Sequence, residues 1–287
     1  SPHSLGYTPC SLRLGKQNMR ERGLVRERKN VLLLFSKVPE AGLVKTRLTT
    51  LKDGIFAPEV ASGLYHCMLF DVVEIICAAM AKLEAREARA VRATEVAHAA
   101  DEACEAEAAR EVAGIAADGA SPNGAGAASA TEAVHDTYEL VISTTPGSNV
   151  EVMRKLFADA GEWPRELVII ADEGASFDKH YNHAFDQAWE RGADCILSMG
   201  ADMPALTVND VIAGFDALHK LDGVDGGGIV LAPDQEMGVS VVGWTRDTDF
   251  DHSGVFYNQE GLTVLPAYIQ KARRLGLPAL YLPPIPD

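Results

Sequence analysis

Val31-Leu-Leu-Leu-Phe35 is an unbroken apolar run that stops at a polar loop, the pattern of a strand buried on both faces of a parallel sheet. The pattern recurs at Tyr138–Thr144, Glu166–Ala171, Cys195–Met199 and Ile229–Ala232, and Val239–Trp244 with Ala279–Leu282 are expected to add strands at the edge. Amphipathic stretches separate the runs. Pro58–Met80 sets Val60, Leu64, Cys67, Met68, Val72, Ile75 and Ile76 on one helical stripe, with Pro58 suited to the first turn. Val150–Ala160, Phe177–Arg191, Val208–Leu218 and Leu262–Leu275 behave similarly, and Thr207 with Asp210 is expected to form a capping box at the start of one of them. Strands alternating with helices predict an α/β fold with a mainly parallel, doubly wound, Rossmann-like sheet.

Lys82–Val134 breaks this rhythm. Ala, Glu and Arg dominate it, it runs into Asp118-Gly-Ala-Ser-Pro-Asn-Gly-Ala-Gly126, and Leu83, Val91, Val96, Val112 and Ile115 are too sparse for a strong core-facing stripe. The expected organisation is an N-terminal extension over residues 1–29 and one domain over 30–287, carrying an insertion at about 82–134. A protruding helix followed by a mobile linker is expected there, either as a solvated insertion or as a lid or dimerisation arm.

The chain's 287 residues, 47% of them hydrophobic, suffice for a full core, but the formal net charge is -15. Such a charge repels polyanions, so nucleic acid and anionic membranes are not expected partners, and any phosphate site must be local. Cys10, Cys67, Cys77, Cys104 and Cys195 are scattered and lack CxxC spacing, which argues against a disulfide framework or structural zinc and fits a reducing cytoplasm. No run reaches the roughly 18 uncharged apolar residues of a membrane span, since Glu74 interrupts Val72–Ala81. Residues 1–29 are rich in Arg and Lys but contain Glu21 and Glu27 and no apolar h-region, so no secretory signal is expected, and Met19 reads as lying near the natural start.

Two loops carry chemistry. Phe35-Ser-Lys-Val-Pro-Glu-Ala-Gly-Leu-Val-Lys-Thr-Arg-Leu48 leaves the C-terminal end of the first strand, where open α/β sheets bind ligands. Gly42 lets backbone approach an anion, Pro39 stiffens the loop, and Lys37, Lys45 and Arg47 concentrate three cations in an acidic protein. If the stretch is extended, Lys45 and Arg47 share a face, and Thr46 can offer its hydroxyl to a phosphate or a metal-bound water. The alternative is that these cations pair with some of the 41 acidic residues. This is not a Walker A loop, because GxxxxGK[ST] is missing.

The second loop is Cys195-Ile-Leu-Ser-Met-Gly-Ala-Asp-Met-Pro-Ala-Leu206, which carries a strand straight into Gly200 and Asp202. A lone carboxylate at the sheet's C-terminal edge suits Mg²⁺ or Mn²⁺, which keeps most of its waters and bridges to substrate phosphates. The alternative is a turn aspartate bonded to backbone N–H groups. Asp234, after Ile229–Pro233, is the candidate second carboxylate. His180 and His183 stand three apart with no partner cluster, so packing or surface roles are expected of them rather than metal ligation.

In this order the pieces resemble the radical-SAM/selenodomain-associated transferases, a glycosyltransferase-like family with the GT-A fold of nucleotide-diphospho-sugar transferases. The resemblance covers about residues 30–286 apart from the insertion. It rests on F-x-K-x-P-x-x-G-x-V-K-T-R-L, matched by Phe35, Lys37, Pro39, Gly42, Val44, Lys45, Thr46, Arg47 and Leu48, and on Gly200-Ala-Asp-Met-Pro-Ala-Leu206, where Ala201 replaces a hydroxyl residue. The basic loop is also similar to that of 2-phospholactate guanylyltransferases. Two segments depart from the family: Asp234-Gln-Glu-Met237 stands where D-G-G-Y is usual, and His180, beside Lys179, stands in place of an arginine.

The resemblance implies transfer from a nucleotide-activated donor, an NDP-sugar or an NTP, to an acceptor the sequence does not name. Lys37, Lys45 and Arg47 would hold the phosphates, and Asp202 with Asp234 would position Mg²⁺ or Mn²⁺. Glycosyl transfer is the leading expectation and nucleotidyl transfer its alternative; a catalytically impaired nucleotide-binding or scaffold protein is the rival from another class. No G-x-S-x-G elbow supports a serine hydrolase. Oligomeric state is left open.

Overall fold

The computed structural model describes residues 26–115 and 134–286. Seven strands form one sheet in the order β3-β2-β1-β4-β6-β5-β7: β1 Arg26–Phe35, β2 Val134–Thr144, β3 Leu167–Ala171, β4 Cys195–Gly200, β5 Ile229–Pro233, β6 Val239–Thr245 and β7 Ala279–Tyr281. The α-helices are α1 Pro58–Ile115, α2 Asn149–Asp159, α3 Phe177–Glu190, α4 Val208–Leu221 and α5 Val264–Arg274. Each apolar run of the sequence is therefore a strand and each amphipathic stretch a helix. The chain divides into two units, Arg28–Glu84 with Thr137–Asp287, which holds the sheet core, and Ser1–Glu27 with Ala85–Asp136.

Alternation along β1 explains the layers. Leu32 and Leu34 face a cluster built with Leu69, Val72, Ile76, Met80 and Leu83 of α1, Met153 and Phe157 of α2, and Val211, Phe215 and Leu218 of α4. Val31 and Leu33 face the opposite cluster, with Ala184, Phe185 and Ala188 of α3 and Leu265, Tyr268 and Ala272 of α5. A sheet covered on both faces must be apolar on both, which is why its strands read as continuous runs rather than alternating ones.

Two expectations are corrected. Val239–Trp244 is not an edge strand: β6 lies inside the sheet, antiparallel to both β4 and β5, and its Gly243 is needed because a Cβ there would come within 2.4 Å of the Ile196 carbonyl oxygen. The stripe of α1 is rotated at its start, with Val60, Leu64 and Cys67 exposed and Ala61, Tyr65, Met68 and Leu69 buried. Tyr65 and Met68 pack there on Val44 of the basic loop. The helix expected beyond Lys82 forms as a continuation of α1 to Ile115; the linker expected after it, over 116–133, and the residues before Arg26 lie outside the described residues. Over Pro58–Ala93 this helix is long and apolar enough, by length and composition, to cross a membrane. Its apolar residues there include the sheet-facing stripe, while Asp71 and Glu74 lie on its exposed side.

The capping box forms as the sequence predicts: Thr207 Oγ1 accepts from Asp210 N–H at 3.3 Å and Asp210 Oδ2 accepts from Thr207 N–H at 2.8 Å. Thr207→Ala is expected to lower stability by about 1 kcal/mol, read from urea unfolding. A second test concerns His252, fully buried among Tyr181, Phe185, Trp244 and Phe256, with its backbone N–H on Asn182 Oδ1 at 2.7 Å. Burial pulls its pKa down to about 3; Asp251 opposes the shift and Lys271 adds to it. The unfolded chain therefore binds a proton that the folded chain rejects between its ordinary value of 6.5 and about 3, and stability is lost as the pH falls through that window. The unfolding free energy of the wild type should fall more steeply there than that of His252→Gln, by up to about 1.4 kcal/mol per pH unit.

Candidate functional site

β1 lies between β2 and β4, so the chain leaves its C-terminal end at the point where strand order reverses. Register sets the edge: Phe35 stands opposite Gly200 and Thr144 opposite Ala171. Beyond these residues opens a cleft of about 880 Å³ whose walls include Lys37, Lys45, Thr46, Arg47, Asp202, Asp172 and His180. Both chemistry-bearing loops of the sequence thus meet in one cavity.

The basic loop is not extended. Gly42 has a φ of +81°, Lys45 adopts the left-handed conformation (φ 45°, ψ 35°), and Thr46–Leu48 forms a 3-10 turn. The alternation argument for Lys45 and Arg47 therefore fails, although both line the cleft with Lys37 and Thr46; Pro39 and Gly42 do not line it and instead shape the loop. Tyr65 of α1 fastens the loop's base, its hydroxyl within 3.1 Å of Ser36 Oγ and accepting from Lys37 N–H at 3.0 Å. Burial, aided by the charge of Asp202 and opposed by the hydrogen bonds from Ser36 and Lys37, raises the Tyr65 pKa, so the group stays a neutral phenol.

Asp202 is carried by a rigid turn. Ala201 N–H donates to Phe35 carbonyl oxygen at 3.0 Å, Met203 and Leu206 are buried, and a Cβ at Gly200 would sit only 3.0 Å from Asp202 Oδ1. Across the cleft Lys45 Nζ meets Asp202 Oδ2 at 2.9 Å. Asp234 lies elsewhere: its Oδ1 accepts from Glu236 N–H at 2.8 Å and Gly238 N–H at 2.6 Å, and it is not a lining residue. It is the turn aspartate, and only one of the two candidate metal carboxylates faces the cleft.

A second acid was missed in the sequence. Asp172 follows β3 as Asp202 follows β4, is 4% exposed, and accepts from Ser143 Oγ at 2.7 Å while its Oδ1 lies 2.6 Å from His180 Nδ1. The equivalent position after a buried strand was the available signal. Tyr181, in the next turn position, stacks on Phe35 with centroids 3.8 Å apart; burial first, then the charges of Asp202 and Asp172, raise its pKa. His183 Nδ1 accepts from Glu173 N–H at 2.8 Å, a packing role.

Among the described residues no group of three or more His, Cys, Asp or Glu side chains is placed to hold a metal ion. Asp172 is buried, and each of its oxygens already has a partner, in Ser143 and His180. Asp202 offers one carboxylate to an open cleft, a donor set that fits a hydrated Mg²⁺ or Mn²⁺ sharing substrate phosphates and does not fit an all-protein cage.

Residues 128–259 match the profile of a family described as "Uncharacterized protein conserved in bacteria (DUF2064)", a span that includes Asp172, His180 and Asp202 but not the basic loop. No curated protein matches in sequence. Among solved structures, a candidate nucleotide-diphospho-sugar transferase from Desulfovibrio desulfuricans G20 is similar at 21% identity and a TM-score of 0.56, over 90% of this chain and 81% of that one. Weaker likenesses are Rv0371c from Mycobacterium tuberculosis H37Rv in complex with manganese (12% identity, TM-score 0.33, 92% and 90% of the chains) and CMP:2-keto-3-deoxy-manno-octonic acid synthetase complexed with CTP (8%, 0.40, 90% and 90%). The Desulfovibrio structure shows the fold alone: a mixed α/β domain with a mostly parallel sheet.

Lys45, a non-glycine residue in the left-handed region, carries backbone strain beside the cleft. Lys45→Gly and Lys45→Ala both delete the ion pair, but only glycine relieves the backbone. Lys45→Gly is expected to be the more stable of the two by about 1 kcal/mol in urea unfolding.

Proposed function

We propose that this chain is a transferase that uses a nucleotide-activated donor, with glycosyl transfer from an NDP-sugar as its reaction. The observation that carries the reading is the Lys45–Asp202 contact at 2.9 Å, across a cleft that Lys37 and Arg47 also line. Four groups suited to a diphosphate and its counter-ion share one cavity at the switch point of the sheet. The motif resemblance of Phe35–Leu48 and Gly200–Leu206 supports the same chemistry.

In this reading Lys37, Lys45 and Arg47 bind the donor's phosphate oxygens, and Thr46 adds a hydroxyl donor. With a phosphate to pair with Lys45, the Asp202 carboxylate would be the group to hold a hydrated Mg²⁺ or Mn²⁺. That ion, when bound, neutralises charge developing on the leaving diphosphate. The cations are preorganised by the Tyr65 anchor and the left-handed backbone at Lys45, so they need no rearrangement as charge develops. No protein nucleophile is required.

Nucleotidyl transfer is the second reading, favoured by the similarity of the basic loop to guanylyltransferases. The two differ in the bond broken. Incubation with Mg²⁺ or Mn²⁺ and a panel of NDP-sugars and NTPs separates them, since free NDP marks the first and pyrophosphate the second. Asp202→Asn is expected to lower turnover by about 10²-fold or more. Lys45→Ala and Arg47→Ala are expected to weaken donor binding about tenfold, the loss of one charge-assisted hydrogen bond. Nucleotide binding with no turnover under either metal would instead favour a catalytically impaired binding protein, and no binding at all would overturn both.

A further inference from the structure

The cleft that the cations line also carries an acid–imidazole pair that the phosphate reading leaves unused. Asp172 is 4% exposed, and its two oxygens are taken by Ser143 Oγ at 2.7 Å and His180 Nδ1 at 2.6 Å. Ser143 spends its proton on the carboxylate, so it is not an activated nucleophile. His180 is different: its side chain is about a quarter exposed and lines the cleft. A buried carboxylate on Nδ1 fixes the tautomer that carries its proton there, and Nε2, on the far side of the ring, is the nitrogen left for the cleft.

The placement of the pair is built in. Asp172 N–H donates to Thr144 carbonyl oxygen at 3.1 Å, tying the acid to the end of β2. Gly174 allows the loop to close on the first turn of α3, because a Cβ there would lie 2.8 Å from His180 N. Ser176 caps that turn by accepting from Lys179 N–H at 3.4 Å. The imidazole is therefore held by its acid and by the first turn of α3, in a cavity that Lys37, Lys45 and Arg47 also line.

Resting on the transferase reading above, we propose that His180, oriented by Asp172, is the general base that takes the proton of the acceptor hydroxyl. The acceptor oxygen bonds to the donor's anomeric carbon as its proton passes to His180 Nε2. The bond from that carbon to the diphosphate oxygen breaks, and its electron pair leaves with the nucleoside diphosphate. Asp172 orients the ring through Nδ1 and does not touch the reacting atoms, so it is a positioning residue. The acceptor class that follows is an alcohol or water, a group that gains nucleophilicity by losing a proton.

The test uses the full chain and NDP release from a panel of UDP-, GDP- and ADP-sugars with Mg²⁺ or Mn²⁺ and water as acceptor, with donor affinity measured separately by calorimetry. His180→Ala is expected to lower kcat by about 10²-fold or more while donor Kd stays within about twofold, and added imidazole is expected to restore part of the lost kcat. Asp172→Asn should lower kcat with donor Kd likewise unchanged, because the amide no longer fixes the tautomer. A His180→Ala protein with wild-type kcat overturns the proposal. So does one that loses donor affinity without imidazole rescue, which would make His180 a phosphate ligand. A wild-type protein that binds these donors but releases no NDP overturns the glycosyl reading together with this one, whereas normal wild-type release with an indifferent His180 variant overturns this one alone.

Discussion

The parallel pairing of β1 with β4, with Phe35 opposite Gly200, is the constraint on which the site depends. It brings together two loops that share no sequence neighbourhood and aims both past the same edge of the sheet. Ala201 N–H on the Phe35 carbonyl continues the ladder one step beyond the strands, so the acidic turn starts from a fixed position. A slip of one residue would send every side chain of β1 to the wrong cluster, and burial on both faces forbids it.

Electrostatics then works against the background. The formal charge is -15, yet Lys37, Lys45 and Arg47 are gathered at one cleft. The Lys45–Asp202 pair is partly exposed, with side chains 25% and 45% accessible, so it contributes little to folding. The left-handed backbone at Lys45 costs stability as well. What the loop gives the fold comes from Val44 and its tie to Tyr65 rather than from its cations.

Much of the fold was legible because the physics is local: five buried strands as apolar runs, four helices with near-correct ends, and Thr207 as a cap. What was not legible depended on distant partners. Nothing in Val239–Trp244 distinguishes an antiparallel strand within the sheet from one at its rim, since both need apolar residues. The face of α1 shifted because Tyr65 and Met68 pack on Val44, a contact that helical periodicity does not encode. Asp234 and Asp202 look alike in sequence, each acid following a strand, and only Gly238 and Glu236, donating to the former, separate a turn from a cleft residue. His180 became intelligible once Asp172 stood beside it.

One hydroxyl joins the long helix to the cationic loop. Tyr65, in the second turn of α1, holds both Ser36 and the backbone of Lys37. Because its ring is buried and its bonds reach backbone as well as side chain, any axial slide or rotation of those helical turns drags the base of the loop with it. The first cation of the cleft is thus tied to a helix that reaches the cavity only at its N-terminal turns, through Tyr65.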